Sequence, residues 1–153
     1  MAKILMMYAS MSGNTEMMAD AIFDYINEAK HEIVIKSFDF DPIDVQEMTD
    51  YDGILIGTYT YDEGNLPYEV EDFYEELDDV KLSGKIIGVF GSCDSFYDTF
   101  GGAVDTMEER VIERGGRLCG EGIKVDLEPD KKDIERCQKF AEVFLKKVNE
   151  YHK

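Results

Sequence analysis

A loop dense in hydroxyl groups follows the first apolar run of the chain. It reads Ser10-Met11-Ser12-Gly13-Asn14-Thr15 and leads straight into a stretch with helical periodicity. Main-chain N–H groups at the positive end of that helix could hold a phosphate dianion without any cation. No Gly-Lys-Ser/Thr follows, which excludes a P-loop, and the spaced glycines of a dinucleotide fingerprint are absent. A plain helix cap needs only one Ser or Asn, so the pattern favours phosphate binding.

Two further loops carry aromatic and small residues after later apolar runs. Thr58-Tyr59-Thr60-Tyr61-Asp62 follows the third run, and Ser92-Cys93-Asp94 follows the fourth, with Tyr97 and Gly101 beyond it. Aromatic rings could cover a flat ligand, and small residues allow the main chain to approach it closely. Together the three loops predict a site for a ligand that has a phosphate and a flat ring.

Apolar runs alternate with amphipathic stretches along the chain, a pattern typical of a parallel sheet covered by helices on both faces. The predicted strands are Lys3–Ala9, Glu32–Phe38, Gly53–Thr60, Lys85–Ser92 and Leu118–Leu127. The predicted helices are Asn14–Glu28, Pro67–Leu77, Phe100–Arg114 and Asp130–Tyr151, and a short helical turn could follow Pro42. Ligands of such sheets bind beyond the carboxyl ends of the strands, so the three loops are expected to meet there. No repeat or linker interrupts the pattern, which predicts one domain over residues 1–153.

The sequence resembles the flavodoxins, small electron carriers that bind FMN. The resemblance depends on Tyr8-Ala9-Ser10-Met11-Ser12-Gly13-Asn14-Thr15-Glu16, on Gly91 with Asp94-Ser95-Phe96-Tyr97, and on Phe100-Gly101-Gly102-Ala103-Val104-Asp105. It extends over the whole chain, and the length and an uninterrupted last strand resemble the short-chain subgroup. It implies a three-layer, doubly wound, five-stranded parallel sheet of order 2-1-3-4-5. The implied function is that of a low-potential carrier of single electrons, in which FMN is not covalently bound.

The resemblance also implies which residues bind the cofactor. Ser10, Met11, Ser12, Gly13, Asn14 and Thr15 would cradle the phosphate. One side of the isoalloxazine ring would be lined by Thr58, Tyr59, Thr60, Tyr61 and Asp62. Tyr97 would stack on the outer face, and main-chain groups would bond the pyrimidine edge from Ser92, Cys93, Asp94 and Gly101.

Two departures from the family pattern concern the ring site. The chain has no Trp, and Tyr61 stands where many members place one on the inner wall. The peptide whose flip accompanies formation of the neutral semiquinone in flavodoxins corresponds to Asp62–Glu63, where Gly is common at the first position. Asp adopts positive φ less freely than Gly. We therefore expect a flip at greater cost and a less favoured semiquinone.

The charge of the chain is strongly acidic, with 34 Asp and Glu against 16 Lys and Arg, a formal net charge of −18. This balance argues against nucleic-acid binding and against docking on anionic membranes. Between Lys36 and Lys81 there are 15 acids and no Lys, Arg or His. That stretch is either a solvated face or a surface for basic redox partners, such as a flavodoxin reductase as donor and an acceptor oxidoreductase. The first apolar run is too short for a signal peptide, so a cytoplasmic protein is expected. We also expect the protein to be a monomer.

Other functions fit the sequence less well. Cys93, Cys119 and Cys137 lack metal or disulfide spacing, and six residues beyond Cys93 stands Thr99, where a cysteine phosphatase would need Arg. The strand ends lack the acids of a receiver domain. The alternatives left open are an FMN-dependent NAD(P)H:acceptor oxidoreductase and a flavodoxin-like activator dedicated to one metalloenzyme.

Overall fold

The inner strands of the sheet are almost wholly apolar because helices cover both of its faces. The computed structural model describes residues 2–60, 65–94 and 101–151. Its strands are β1 (Lys3–Tyr8), β2 (Glu32–Ser37), β3 (Gly53–Gly57), β4 (Ile86–Cys93), β5 (Arg117–Leu118) and β6 (Ile123–Asp126). Its α-helices are α1 (Asn14–Glu28), α2 (Tyr68–Glu76), α3 (Gly102–Glu113) and α4 (Lys131–Tyr151). Short 3-10 turns span Val45–Asp50 and Leu77–Asp79.

The strand order is β2-β1-β3-β4-β5, and every pairing is parallel. This confirms the predicted order 2-1-3-4-5 and the flavodoxin-like fold class. The bounds of α1 agree with the prediction residue for residue, whereas the other helices start or end one or two residues inside the predicted stretches.

The last strand is not the single run predicted for Leu118–Leu127. Its two parts, β5 and β6, both pair with β4, Ile87 opposite Leu118 and Phe90 opposite Ile123. The partner strand therefore advances by five residues where β4 advances by three. The two extra residues form a bulge over 119–122. The expectation of an uninterrupted last strand was wrong. The pattern missed the bulge because Gly120 and Gly122 stand between apolar residues that still alternate.

Alternation of side chains along the strands divides the core in two. Ile4 and Met6 of β1 face the layer of α1 and α4, whereas Leu5 and Met7 face the layer of α2 and α3. Gly53 and Gly88 lie where the rings of Phe144 and Phe140 on α4 press on the sheet, and a Cβ at either would come within 3 Å of a ring carbon. No helix in the described ranges is long and apolar enough to cross a membrane.

Candidate functional site

Three main-chain hydrogen bonds tie the exits of β1, β3 and β4 together. The Ala9 N–H donates to the Gly57 carbonyl at 2.9 Å, and the Thr58 N–H donates to the Phe90 carbonyl at 3.0 Å. Two residues further along each segment, the Thr60 N–H donates to the Ser92 carbonyl at 3.1 Å. The loops that the sequence predicted to share a site therefore lie side by side at one edge of the sheet.

The predicted phosphate loop leads into α1 through a left-handed residue, Gly13, with φ 89°. The hydroxyl of Ser10 accepts a hydrogen bond from the Glu16 N–H at 3.1 Å, which closes the loop over the first turn. Met11 is 72% exposed and Ser12 is also exposed. Among the described residues, none accepts a hydrogen bond from the N–H groups of residues 12–14. These N–H groups are available to an anion at the positive end of the helix.

Thr15 differs from the rest of this loop because it is turned inward. It is 0% exposed, and its Oγ1 lies 2.6 Å from Oγ of Ser92, itself 5% exposed. Two parts of the predicted site, 77 residues apart in the chain, thus meet through a buried pair of hydroxyls.

The segment after β3 is held from both sides. Thr58 is fully buried, and its hydroxyl donates to the Tyr59 carbonyl at 3.0 Å. The Tyr59 hydroxyl donates to both carboxylate oxygens of Glu69 on α2, at 2.8 and 3.1 Å. Thr60 accepts at Oγ1 from the Ala103 N–H on α3, at 3.3 Å. Thr58 therefore contributes main chain to the site, and the side chains of Tyr59 and Thr60 anchor the segment to the two helices.

The segment after β4 packs against β6. The Cys93 sulfur hydrogen-bonds to the Val125 carbonyl at 3.4 Å and receives the main-chain N–H of Gly101. Burial, with the charge of Asp126, raises the pKa of the Cys93 thiol to about 12, so the thiol stays protonated. Gly101 has φ 70°, and a Cβ there would overlap the methylenes of Lys124. Asp94 is half-buried at the end of the segment.

The electrostatic surroundings of these loops are acidic. Burial raises the pKa of Tyr8, and the charges of Glu16 and Asp20 raise it further. Burial also raises the pKa of the Asp39 carboxyl, and the neighbouring Glu69 carboxyl raises it further. These pKa shifts have the sign expected where carboxylates outnumber cations.

Some of the predicted site lies outside the described residues, namely Tyr61, Asp62 and Tyr97. Three contacts of the site were not predicted from sequence: the Tyr59–Glu69 hydrogen bond, the packing of the Lys124 side chain against Gly101, and the Thr15–Ser92 hydroxyl pair. Spacing gave no signal for any of them, because each joins residues on different elements. Within the part of the chain that is described, no three His, Cys, Asp or Glu are grouped as a metal site would require.

Comparison with known proteins places the chain in one family. The family model described as Flavodoxin matches residues 6–140. "Probable flavodoxin 2" of Bacillus subtilis (strain 168) is 44% identical over 148 residues, which are 96% of this chain and 97% of the relative. The crystal structure of oxidised Flavodoxin 1 from Bacillus cereus superposes with a TM-score of 0.92 at 44% identity, over 95% of this chain and 98% of that one.

A flavodoxin structure from Streptococcus pneumonia TIGR4 gives a TM-score of 0.90 at 39% identity, over 95% of this chain and 99% of that one. Flavodoxins are FMN-binding electron carriers and not enzymes. The match to these solved structures over nearly their full length agrees with the strand order observed here. This chain belongs to the flavodoxin family.

Proposed function

We propose that this chain carries single electrons on a non-covalently bound FMN that lies across the three loops. The observation that carries the proposal is the open start of α1, where N–H groups of residues 12–14 lie beside hydroxyls at the joined strand exits. A phosphate dianion fits this donor set, which needs no cation. FMN supplies the one-electron chemistry when it is bound. The protein binds it, orients it and keeps water from the ring.

We assign the residues of the site by position. The phosphate would be held by Ser10, Met11, Ser12, Gly13, Asn14 and Thr15, of which the buried Thr15 contributes by positioning the loop. The ring would lie between Thr58, Tyr59, Thr60, Tyr61 and Asp62 on one side, and Ser92, Cys93, Asp94, Tyr97 and Gly101 on the other. Tyr61, Asp62 and Tyr97 enter this assignment on the sequence alone.

The test is reconstitution of the apoprotein with FMN. We expect a yellow 1:1 complex that releases FMN on denaturation and accepts electrons in two separate one-electron steps. Riboflavin, which has no phosphate, should bind far more weakly. A protein that ignores added FMN would overturn the proposal. Steady oxidation of NADPH without a reductase would instead favour the alternative of an FMN-dependent oxidoreductase.

We also propose a docking surface for basic redox partners beside this site. A cavity of about 710 Å³ opens between α2 and α3, and the described residues that line it include acids and tyrosines but no cation: Tyr59, Asn65, Leu66, Tyr68, Glu69, Glu71, Tyr74 and Thr106. Tyr68 is 87% exposed and Phe40, on the loop after β2, is 89% exposed. Exposed aromatic rings among carboxylates suit a partner that presents Lys or Arg around apolar groups.

The docking proposal predicts a charge-dependent rate. Glu69→Gln with Glu71→Gln should slow reduction by a cationic reductase several-fold at low salt, because fewer charges steer the encounter. The difference should vanish at high salt. The matched control is Glu135→Gln with Glu142→Gln on α4, on the opposite face of the sheet, which removes the same charge. Equal slowing by both pairs would show that net charge alone matters and that no docking surface exists there.

We further infer that the protein acts in the cytoplasm and that it is a monomer. Sedimentation of the purified protein would test the second inference.

A further inference from the structure

A groove lies between α4 and the bulge of the last strand, at the edge of the sheet opposite to β2. Two adjoining cavities form it, of about 340 and 380 Å³, and their linings share Glu121, Ile123 and Arg136. Both volumes are within the range of sites for small molecules. Among the described residues that line the groove, none belongs to those assigned to FMN.

One end of the groove is apolar. It is lined by Cys119 and Ile123 of the bulged strand and by Phe140 and Val143 of α4. Burial raises the pKa of the Cys119 thiol to about 12, so the thiol stays protonated and neutral. An apolar group that entered this end would be removed from water on the side of the protein, which favours its binding.

The other end of the groove is cationic. Lys124 and Arg136 line it, and Lys139 lies beside the apolar end, whereas Glu121 is the one acid among the described lining residues. The whole chain has 34 acids against 16 Lys and Arg, so the charge of this lining is the reverse of the overall balance. The groove therefore favours an anion in a protein that otherwise repels anions.

Arg136 is held at the cationic end and still has donors to offer. Its Nη1 lies 3.2 Å from Oδ1 of Asp133, and its Nη2 donates to the Lys124 carbonyl at 3.2 Å. The side chain is 52% exposed, and these two bonds leave other N–H groups of the guanidinium unused. The bulge adds main-chain donors, since no described residue accepts the N–H of Gly120 or of Glu121. A carboxylate suits this set because it accepts several hydrogen bonds at once.

The two lysines each contact a carboxylate outside the described lining. Nζ of Lys124 lies 2.8 Å from Asp105, and Nζ of Lys139 lies 3.4 Å from Glu142. Ion pairs at the surface contribute little to stability, and a Lys ammonium has more than one donor. Both lysines can therefore contact a ligand without losing these partners.

We propose that the groove is a binding site for a small organic acid with a straight apolar tail, the chemistry of a medium-chain fatty acid. The tail lies on Ile123, Phe140 and Val143, and the carboxylate is bound by Arg136 and Lys124 at the bulge. This site is distinct from the FMN site, and the inference does not depend on the proposed electron transfer.

Titration of the FMN-loaded protein with sodium hexanoate, octanoate and decanoate, followed by NMR of the main-chain amides, tests the proposal. We expect saturable shifts that cluster at residues 119–124 and 136–143, while the visible spectrum shows that FMN stays bound. The affinity should rise by up to about fourfold for each added methylene. Octanol, which has the same tail without the charge, should bind several-fold more weakly than octanoate.

Variants of α4 separate the two ends of the groove. Arg136→Gln should weaken octanoate by about fivefold, the upper end for an exposed ion pair, and leave octanol unchanged. Lys146→Gln removes the same charge from an exposed position outside the described lining and should leave both affinities unchanged. Val143→Glu puts a charge at the apolar end and should abolish the binding of both, whereas Asn149→Glu adds the same charge at an exposed position and should not.

Three results would overturn the proposal. The first is a parent protein whose amide shifts do not saturate or do not cluster at the groove. The second is equal affinity for octanoate and octanol, which would show an apolar crevice that does not recognise an acid. The third is equal weakening of octanoate by Arg136→Gln and Lys146→Gln, because net charge alone would then explain the effect. These comparisons decide the matter even if Val143→Glu does not fold.

Discussion

Gly91 lies where β4 packs against the segment that follows β3. It is buried in β4, and a Cβ added there would overlap the main-chain carbonyl oxygen of Thr58. Because main-chain atoms cannot rotate away as the end of a side chain can, a larger residue at position 91 must displace the segment after β3. The absent side chain thus sets how closely the ring-binding loops approach each other.

Gly91→Ala should lower both the FMN affinity and the thermal stability, because the Thr58 main chain has to move. Gly88→Ala is the matched control in the same strand, since its Cβ would come within 3 Å only of the side-chain ends of Leu55 and Phe140. We expect Gly88→Ala to lower the melting temperature and to leave the FMN affinity near the parent value. FMN titration by fluorescence with thermal unfolding checks both. Equal loss of affinity in the two variants would contradict this account of Gly91.

The sequence predicted which segments form the site, but it did not predict which side chains contact one another within it. The loop at Ser10 could be recognised because hydroxyl density in one stretch is a local signal. The Thr15–Ser92 pair could not, because 77 residues separate its members and only the register of β4 against its neighbours brings them together. Glu69 was visible as one of 15 acids, but which acid meets Tyr59 depends on where α2 begins.

At the scale of elements, α1 is positioned by the residue that precedes it. Gly13 takes φ 89°, with no atom near a Cβ built there, and makes no side-chain cap. The start of the helix is consequently open toward the loop. The same signals explain why the bounds of α1 were predictable whereas the bulge between β5 and β6 was not. A helix with a glycine start and regular apolar spacing is specified locally, but a bulge is specified by its neighbour strand.

Gly13→Ala should destabilise the protein by about 1 kcal/mol, the cost of a left-handed conformation for a residue with Cβ. It should also weaken FMN but not riboflavin, because the strain falls on the N–H groups that face the phosphate. Gly84→Ala is the control: it has φ 84° and equally open space, but lies in the turn before β4. It should lose similar stability and bind FMN normally. Urea unfolding of the apoproteins and flavin titrations give the two quantities. If Gly84→Ala also lowered the FMN affinity, the explanation that strain at Gly13 acts locally on the phosphate-facing N–H groups would be wrong.

At the scale of the whole molecule, the excess of acid makes neutral pH unfavourable for the fold. A net charge of −18 repels itself in the compact state. Burial raises the pKa of Asp20, of Asp39 and of Glu108, and neighbouring carboxylates raise each further. Asp130 is shifted the other way, since N–H groups of its own helix start lower its pKa. The raised carboxyls are therefore expected to dominate the pH dependence of stability.

The sign of that dependence follows from proton binding. A carboxyl whose pKa is raised in the folded state binds more protons there than in the unfolded chain, so its contribution to stability is complete below the unfolded pKa. The contribution is lost as pH rises through the folded pKa. The free energy of unfolding of the apoprotein should accordingly increase as pH falls from 7 toward the ordinary Glu value of 4.5. Urea unfolding at fixed ionic strength across this range measures the slope.

Glu108 offers the sharpest test of this argument. It is half-buried on α3, and its Oε2 accepts the Gly122 N–H at 3.1 Å within the bulge of the last strand. Gln keeps an acceptor oxygen for that N–H but carries no charge. Glu108→Gln should therefore raise stability at pH 7 and flatten the pH slope, whereas Glu109→Gln, on the exposed side of the same helix, should leave the slope nearly unchanged. A Glu108→Gln variant that is less stable than the parent at pH 7 would mean that the charge strengthens the bond to Gly122 by more than its burial costs. The pH dependence would then have to come from Asp20, Asp39 and net repulsion, and added salt would weaken the part that is due to repulsion.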